Sequence, residues 1–168
     1  AGIAYLAASN RILISDSEVD EMAIWGGANL FEMTLSGNLV RTVSTTSFSK
    51  EPTGVAYNPV NGHVFISDDN KKKIFEINTG VDNLVGTGDD IITFFNTTAF
   101  GCNDPEGVAF GQGSIFIAGG TGRKVFRISP GFNGVFDGVA PYGDDQFSSF
   151  DTFAMGITDP EGIEFNPD

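Results

Sequence analysis

The chain has 168 residues, of which 40% are hydrophobic, and this composition suits one folded domain and excludes a disordered tail. No run of about 18 apolar residues is present, which excludes a membrane-spanning helix. The 22 acidic against 9 basic residues give a formal charge of −13, which argues against nucleic acid as a partner because phosphates would be repelled.

Three segments of the chain repeat one pattern of glycines, alternating apolar residues and turns. They read GIAYLAASNRILISDSEVDE from Gly2, EPTGVAYNPVNGHVFISDD from Glu51 and DPEGVAFGQGSIFIAGG from Asp104, and a fourth begins at Asp159 as DPEGIEFNPD. The equivalent glycines are Gly2, Gly54, Gly107 and Gly162, so the repeat length is 52 to 55 residues. This length is typical of a four-stranded propeller blade with a loop insertion.

Four strands are predicted in each repeat, and no helical periodicity interrupts them. The inner strand is predicted at 54–58 and 107–110, and Asn61-Gly62 after it favours a two-residue hairpin turn. The second strand is predicted at 12–15, 64–67 and 114–118, the third at 30–35, 74–78 and 125–129, and the fourth at 39–44, 91–95 and 146–150.

The sequence therefore predicts an all-β protein with the fold of a β-propeller. Three four-stranded blades are expected at about 1–50, 51–103 and 104–158, followed by the first strand of the next blade at 159–168. Three blades cannot close a ring, since propellers have about four to eight. Either the chain is a fragment of a longer, six-bladed protein or two copies complete the ring, and the interrupted fourth repeat favours the fragment. The remaining blades, or a second copy, are thus expected partners.

The repeats also carry a resemblance to a known family. GVAYNPVNGHVFISDDNKKKIFEI and DPEGVAFGQGSIFIAGGTGRKVFRI resemble blades of the NHL-repeat and gluconolactonase-like propeller superfamily. ISDSEVDEM, LFEMTLSGNLV and DPEGIEFNPD are similar to a propeller module of large secreted bacterial proteins, which often also have RTX-type calcium-binding repeats. The resemblance implies an extracellular bacterial location but leaves catalysis open, because such propellers include lactonases, phytase-like esterases and binding domains.

Two long acidic loops precede the fourth strands and are the candidates for calcium binding. The blade-2 loop (residues 80–90) and the blade-3 loop (131–145) each have Asp or Asn early and an Asp pair late. Calcium takes six to eight oxygen ligands from such side chains and from backbone carbonyls, although the spacing of an EF-hand is missing. The alternative is that these residues only form turns. The predicted ligands are Asp82, Asn83, Asp89, Asp90, Asn133, Asp137, Asp144 and Asp145.

A second acidic set precedes the inner strands, in the motif D/E-P-x-G. Such residues are expected to gather at the mouth of the axial channel, where lactonase-like relatives bind a divalent cation. Blade 2 departs from the pattern, with Thr53 in place of Glu. The alternative is mechanical: Pro stiffens the entry, Gly permits a tight turn and the acid caps local N–H groups. The axial candidates are Glu51, Asp104, Glu106, Asp159 and Glu161.

Two functions stay open on the sequence. The leading one is a non-catalytic, calcium-stabilised extracellular module that binds a protein, a glycan or another ligand. The alternative is a metal-dependent hydrolase of a lactone, ester or phosphoester, with Glu106 and Glu161 holding the metal. The lone Cys102 and the lone His63 provide neither a zinc site nor a Cys-His pair, which favours the first function.

Overall fold

The computed structural model describes residues 1–166 and contains three four-stranded antiparallel sheets, each with its strands in sequence order. Blade 1 contains β1 (Gly2–Leu6), β2 (Arg11–Ser15), β3 (Leu30–Thr34) and β4 (Leu39–Val43). Blade 2 contains β5 (Pro52–Tyr57), β6 (Val64–Asp68), β7 (Lys73–Asn78) and β8 (Ile91–Asn96). Blade 3 contains β9 (Val108–Gly111), β10 (Ser114–Gly119), β11 (Lys124–Ser129) and β12 (Gln146–Asp151). The predicted all-β fold with three four-stranded blades is confirmed.

The helical structure of residues 1–166 is limited to single 3-10 turns. They lie at Val19–Glu21, Thr97–Phe100, Gly120–Gly122 and Phe153–Met155. No helix in this described part of the chain has the length and apolar character needed to cross a bilayer.

The hydrophobic core lies between the blades, in two layers. One layer joins Leu13 and Leu30 of blade 1 to Ile66 of blade 2. The other joins Phe65 of blade 2 to Ile117 of blade 3. Successive side chains of β6 therefore point to different neighbours, which is why β6 is buried at every position.

The repeated glycine brings the inner strands of neighbouring blades together. A Cβ on Gly54 would lie 2.7 Å from the Glu106 carbonyl oxygen and 2.8 Å from the Val108 nitrogen. A Cβ on Gly2 would likewise lie 2.6 Å from the Val55 nitrogen. At Gly54 the alternative that the motif glycine serves a tight turn is wrong, because Gly54 lies within β5, where only hydrogen leaves room for the next backbone.

The predicted two-residue hairpin at Asn61-Gly62 is also wrong. Pairing of β5 with β6 stops at Tyr57 and Val64, so the loop spans residues 58–63. A two-residue turn occurs instead between β9 and β10, where Gln112 and Gly113 have φ of 49° and 69°. Positive φ at both central residues is the signature of the tight hairpin turn.

The fourth repeat lies beside β9 without forming the predicted strand in residues 159–166. The Gly107 N–H donates to the Glu161 carbonyl at 2.7 Å, and Phe165 stacks on Phe116 with ring centroids 5.5 Å apart. Residues 167 and 168 of the predicted strand at 159–168 lie outside the described residues.

Candidate metal-binding loops and the inner-strand groove

The blade-3 loop connects β11 to β12 and is closed by its terminal aspartates. Asp144 Oδ2 accepts the Phe132 N–H at 2.8 Å, and Asp145 Oδ2 accepts the Gly138 N–H at 2.8 Å. A Cβ on Gly131 would collide with the carboxyl group of Asp144, so the glycine at the start of the loop makes room for the carboxylate at its end.

Three of the predicted ligands in this loop form a cluster. Asp137, Asp144 and Asp145 each offer one carboxylate oxygen, and these oxygens lie within 4.8 Å of one another. The fourth predicted ligand, Asn133, donates its Nδ2 to Asp137 Oδ2 at 2.8 Å. Asp137 Oδ1 accepts the Asp144 N–H at 3.1 Å. The two ends of the predicted site, 131–137 and 144–145, are thereby brought to one place.

The carboxylates of the cluster are incompletely satisfied. Asp145 is only 4% exposed, and its Oδ1 is buried with no hydrogen-bond partner among residues 1–166. Asp144 Oδ1 is likewise buried and unpartnered in this part of the chain. Burial, with the charges of Asp137 and Asp144, raises the pKa of Asp145 to about 6, although the backbone N–H groups of Gly138 and Gly131 oppose the shift. The cluster thus concentrates negative charge with too few donors.

In the blade-2 loop the two terminal aspartates accept backbone N–H groups as in blade 3, but the contacts of the other loop residues differ. Asp89 Oδ2 accepts the Val81 N–H at 2.8 Å, and Asp90 Oδ2 accepts the Gly86 N–H at 2.6 Å, as Asp144 and Asp145 do in blade 3. The Thr87 hydroxyl donates to Asp89 Oδ1 at 2.7 Å. This bond, with the Val81 N–H, lowers the pKa of Asp89.

The early residues of the blade-2 loop shape its turn. Asp82 Oδ1 accepts the Leu84 N–H at 2.8 Å, and Asn83 has a φ of 57°. Within the described residues, no group of three carboxylates within 4.8 Å of one another forms here. The predicted set Asp82, Asn83, Asp89 and Asp90 is therefore not gathered into one cluster.

An inner-edge acidic cluster forms where blades 2 and 3 meet. Asp69, Asp104 and Glu106 each place one carboxylate oxygen within 4.8 Å of the others. Burial, with the charges of Asp69, Asp104 and Glu161, raises the pKa of Glu106 to about 7. Burial and a hydrogen bond with Glu51 raise the pKa of Asp69 to about 6. Of the axial candidates, Asp104 and Glu106 therefore converge, with Glu51 and Glu161 near them.

Two features of this cluster differ from the sequence interpretation. Asp159 is exposed and lies outside the cluster. Asp69, which is not among the candidates from the sequence, is a member. The sequence signal for this residue is the adjacent Asp68-Asp69 pair at the end of β6. Both carboxylate oxygens of Asp68 accept hydrogen bonds, from the Ser49 hydroxyl and the Lys71 N–H, whereas the charge of Asp69 acts on Glu106 of the next blade.

A cavity of about 430 Å³ runs along the inner strands β1, β5 and β9. We call it the inner-strand groove, and its lining includes Tyr5, Tyr57, Val60, Phe110 and Phe165. Tyr5 is 54% exposed and its hydroxyl donates to Asn10 Oδ1 at 2.8 Å. Sequence reasoning did not single out these residues, because in a strand pattern they are indistinguishable from core residues.

Comparison with known proteins shows the fold. The chain matches no family model, and no curated protein sequence matches it. Hydrazine synthase of Kuenenia stuttgartiensis is structurally similar over 95% of this chain, with a TM-score of 0.50 and 9% identity. The WD40 repeats of RRP9 match 75% of the chain (TM-score 0.49, 11% identity). A PQQ-bound aldose sugar dehydrogenase of Streptomyces coelicolor matches 87% (TM-score 0.47, 18% identity).

The chain spans only 48%, 32% and 47% of the lengths of these three structures, respectively. Identities this low carry information about architecture and none about chemistry. The three four-stranded antiparallel sheets, with their inner strands side by side, are blades of a β-propeller.

Proposed function

We propose that this chain is part of an extracellular, calcium-stabilised β-propeller module that binds a protein or glycan ligand and has no catalytic activity. The observation that carries the proposal is the inner-strand groove, which has apolar walls and two tyrosines at the inner edge of the blades. Binding sites are typically concave and mostly apolar, with a few polar groups that fix orientation.

The tyrosines suit this role because each combines a flat apolar ring with a polar hydroxyl. The ring of Tyr5 is half exposed while its hydroxyl is held by Asn10, so the ring is available for stacking at little cost in side-chain entropy. Tyr57 lines the same groove from β5.

The candidate nucleophile and base of the chain also favour a binding role. Cys102 is 1% exposed, and burial raises the pKa of its thiol to about 11, so the reactive thiolate is scarce at neutral pH. His63 Nδ1 lies 2.6 Å from Glu76 Oε1, and among residues 1–166 no hydrogen bond joins this pair to a hydroxyl or thiol.

A binding assay with a panel of immobilised oligosaccharides tests the proposal. We expect saturable binding of the chain to one class of oligosaccharide, lost in Tyr5→Ala because the stacking ring is removed. Tyr142→Ala is the matched control, since Tyr142 is 75% exposed and does not line the groove. Binding that survives in Tyr5→Ala would show that the groove is not the site.

A metal-dependent hydrolase is the second candidate, and the inner-edge acidic cluster is the observation that favours it. The cluster offers three convergent carboxylates, and Glu106, with its pKa of about 7, could accept a proton at neutral pH. Hydrolysis of a lactone or aryl ester that requires a divalent cation and is lost in Glu106→Gln would establish this candidate over the binding module.

A further inference from the structure

We propose that the blade-3 loop binds one calcium ion through Asp137, Asp144 and Asp145, whereas the equivalent blade-2 loop binds none. The inference deepens the proposed function, on whose calcium-stabilised module it rests, by assigning the stabilising ion to one loop and one set of ligands.

The first argument is the buried, unpartnered oxygen of Asp145. A carboxylate that is 4% exposed loses most of its hydration. Its Oδ2 accepts the Gly138 N–H and the Gly131 backbone N–H also stabilises its charge, but its buried Oδ1 has no hydrogen-bond partner within residues 1–166. Burial of a charge is costly unless a counter-charge or a metal compensates it. No Lys or Arg contacts this carboxylate among the described ion pairs. A cation is therefore the missing partner.

The second argument is the spacing of the three carboxylates. A calcium ion bonds oxygens at about 2.4 Å, so two ligands on opposite sides of it are separated by about 4.8 Å. The oxygens of Asp137, Asp144 and Asp145 already lie within that span. Three carboxylates satisfy the preference of calcium for charged oxygen ligands, and backbone carbonyls and water complete its coordination in flexible loops.

The third argument is the contrast between the two loops. The Thr87 hydroxyl donates to Oδ1 of Asp89, whereas Oδ1 of Asp144, the equivalent residue of blade 3, is buried and has no hydrogen-bond partner among residues 1–166. Asp90 has one unpartnered oxygen, as Asp145 has, and the charges of Asp82 and Asp89 act on it, but among residues 1–166 it belongs to no group of three carboxylates within 4.8 Å of one another. The blade-3 loop is four residues longer, and Asp137 lies in the longer stretch between its early and late polar residues. Of the two loops, only the blade-3 loop gathers three carboxylate oxygens within 4.8 Å of one another among the described residues.

The position of the loop explains how an ion would stabilise the protein. Asp137 follows Phe136, a buried residue whose ring meets Phe65 of blade 2 edge-on with centroids 5.4 Å apart. Val139, on the other side of Asp137, belongs to the same core cluster. An ion that holds Asp137 against Asp144 and Asp145 therefore fixes the segment that seals the core between blades 2 and 3.

Calorimetric titration of the EDTA-treated chain with calcium chloride tests the inference. We expect one site per chain, with affinity reduced at least about tenfold in Asp144→Asn and in Asp137→Asn, because each loses a charged ligand. Asp89→Asn, the equivalent change to Asp144→Asn in blade 2, is expected to leave affinity and stoichiometry unchanged. Far-ultraviolet circular dichroism confirms that each variant is folded, and Asp137, which is only partly buried, tolerates substitution most easily.

Three results would overturn the inference: no calcium binding by the folded chain, two sites per chain, or an equal loss of affinity in Asp89→Asn. Failure of the calcium inference can be distinguished from failure of the proposed ligand binding, because the two experiments test different residues. Tyr5→Ala is expected to bind calcium normally, and loss of glycan binding in Tyr5→Ala leaves the calcium site untouched.

Discussion

At the scale of single residues, Asp145 shows how one buried carboxyl group links stability to pH. Its pKa is raised from 3.8 to about 6, first by burial and then by Asp137 and Asp144. Because the folded state holds the proton more tightly than the unfolded state, this group contributes stability below about pH 3.8 that is lost as the pH rises through about 6. Without calcium the ionised group therefore destabilises the fold at neutral pH.

Asp145→Asn removes this charge while conserving shape. In EDTA above pH 6 we expect the variant to be more stable than the wild type, with a weaker fall in the free energy of unfolding between about pH 4 and 6. Urea unfolding across this pH range measures both effects. Asp89→Asn is the control of opposite sign, since the pKa of Asp89 is lowered and removing its charge is expected to destabilise the protein above pH 4. A wild type that is the more stable form at pH 7 in EDTA would contradict this explanation.

At the scale of the strands and turns, the sequence predicted eleven of the twelve strands to within about two residues, and only β1 was given no predicted range. Periodicity and repeat alignment carry that information, although the outermost strand β12 is exposed at all of its positions. The turn chemistry was harder to predict. Asn61-Gly62 is a strong hairpin signal, but Pro59 cannot donate to the ladder and Asn58 Oδ1 bonds the Val60 N–H instead, which lengthens the loop.

Gly54→Ala tests the role of the repeated glycine. The new Cβ would lie 2.7 Å from the Glu106 carbonyl oxygen and 2.8 Å from the Val108 nitrogen, so the inner strands of blades 2 and 3 must move apart. We expect a loss of about 1–3 kcal/mol in the free energy of unfolding, measured with urea. Gly88→Ala is the matched control, because a Cβ at Gly88 meets no atom within 4 Å. Equal stability of the two variants would show that the inner strands tolerate a side chain.

At the scale of the whole molecule, contacts between blades determine which acidic residues meet. The meeting of Asp137, Asp144 and Asp145 was predictable because these residues are close in sequence. Asp69, Asp104 and Glu106 come from two blades, and their meeting depends on how β6 and the entry to β9 lie side by side. No spacing in the sequence encodes that distance. The inner-strand groove is hidden for the same reason, since β1, β5 and β9 line it jointly.

Thermal unfolding in EDTA and in millimolar calcium tests the calcium-stabilised module most directly. At about 100 times the dissociation constant, a site on the folded state adds about 2.7 kcal/mol, which raises Tm by roughly 5–10 °C for a chain of this size. We expect this saturable rise with calcium, a much smaller one with magnesium, and its loss in Asp144→Asn but not in Asp89→Asn. An unchanged Tm in calcium would contradict the account and leave the acidic loops as ordinary turns.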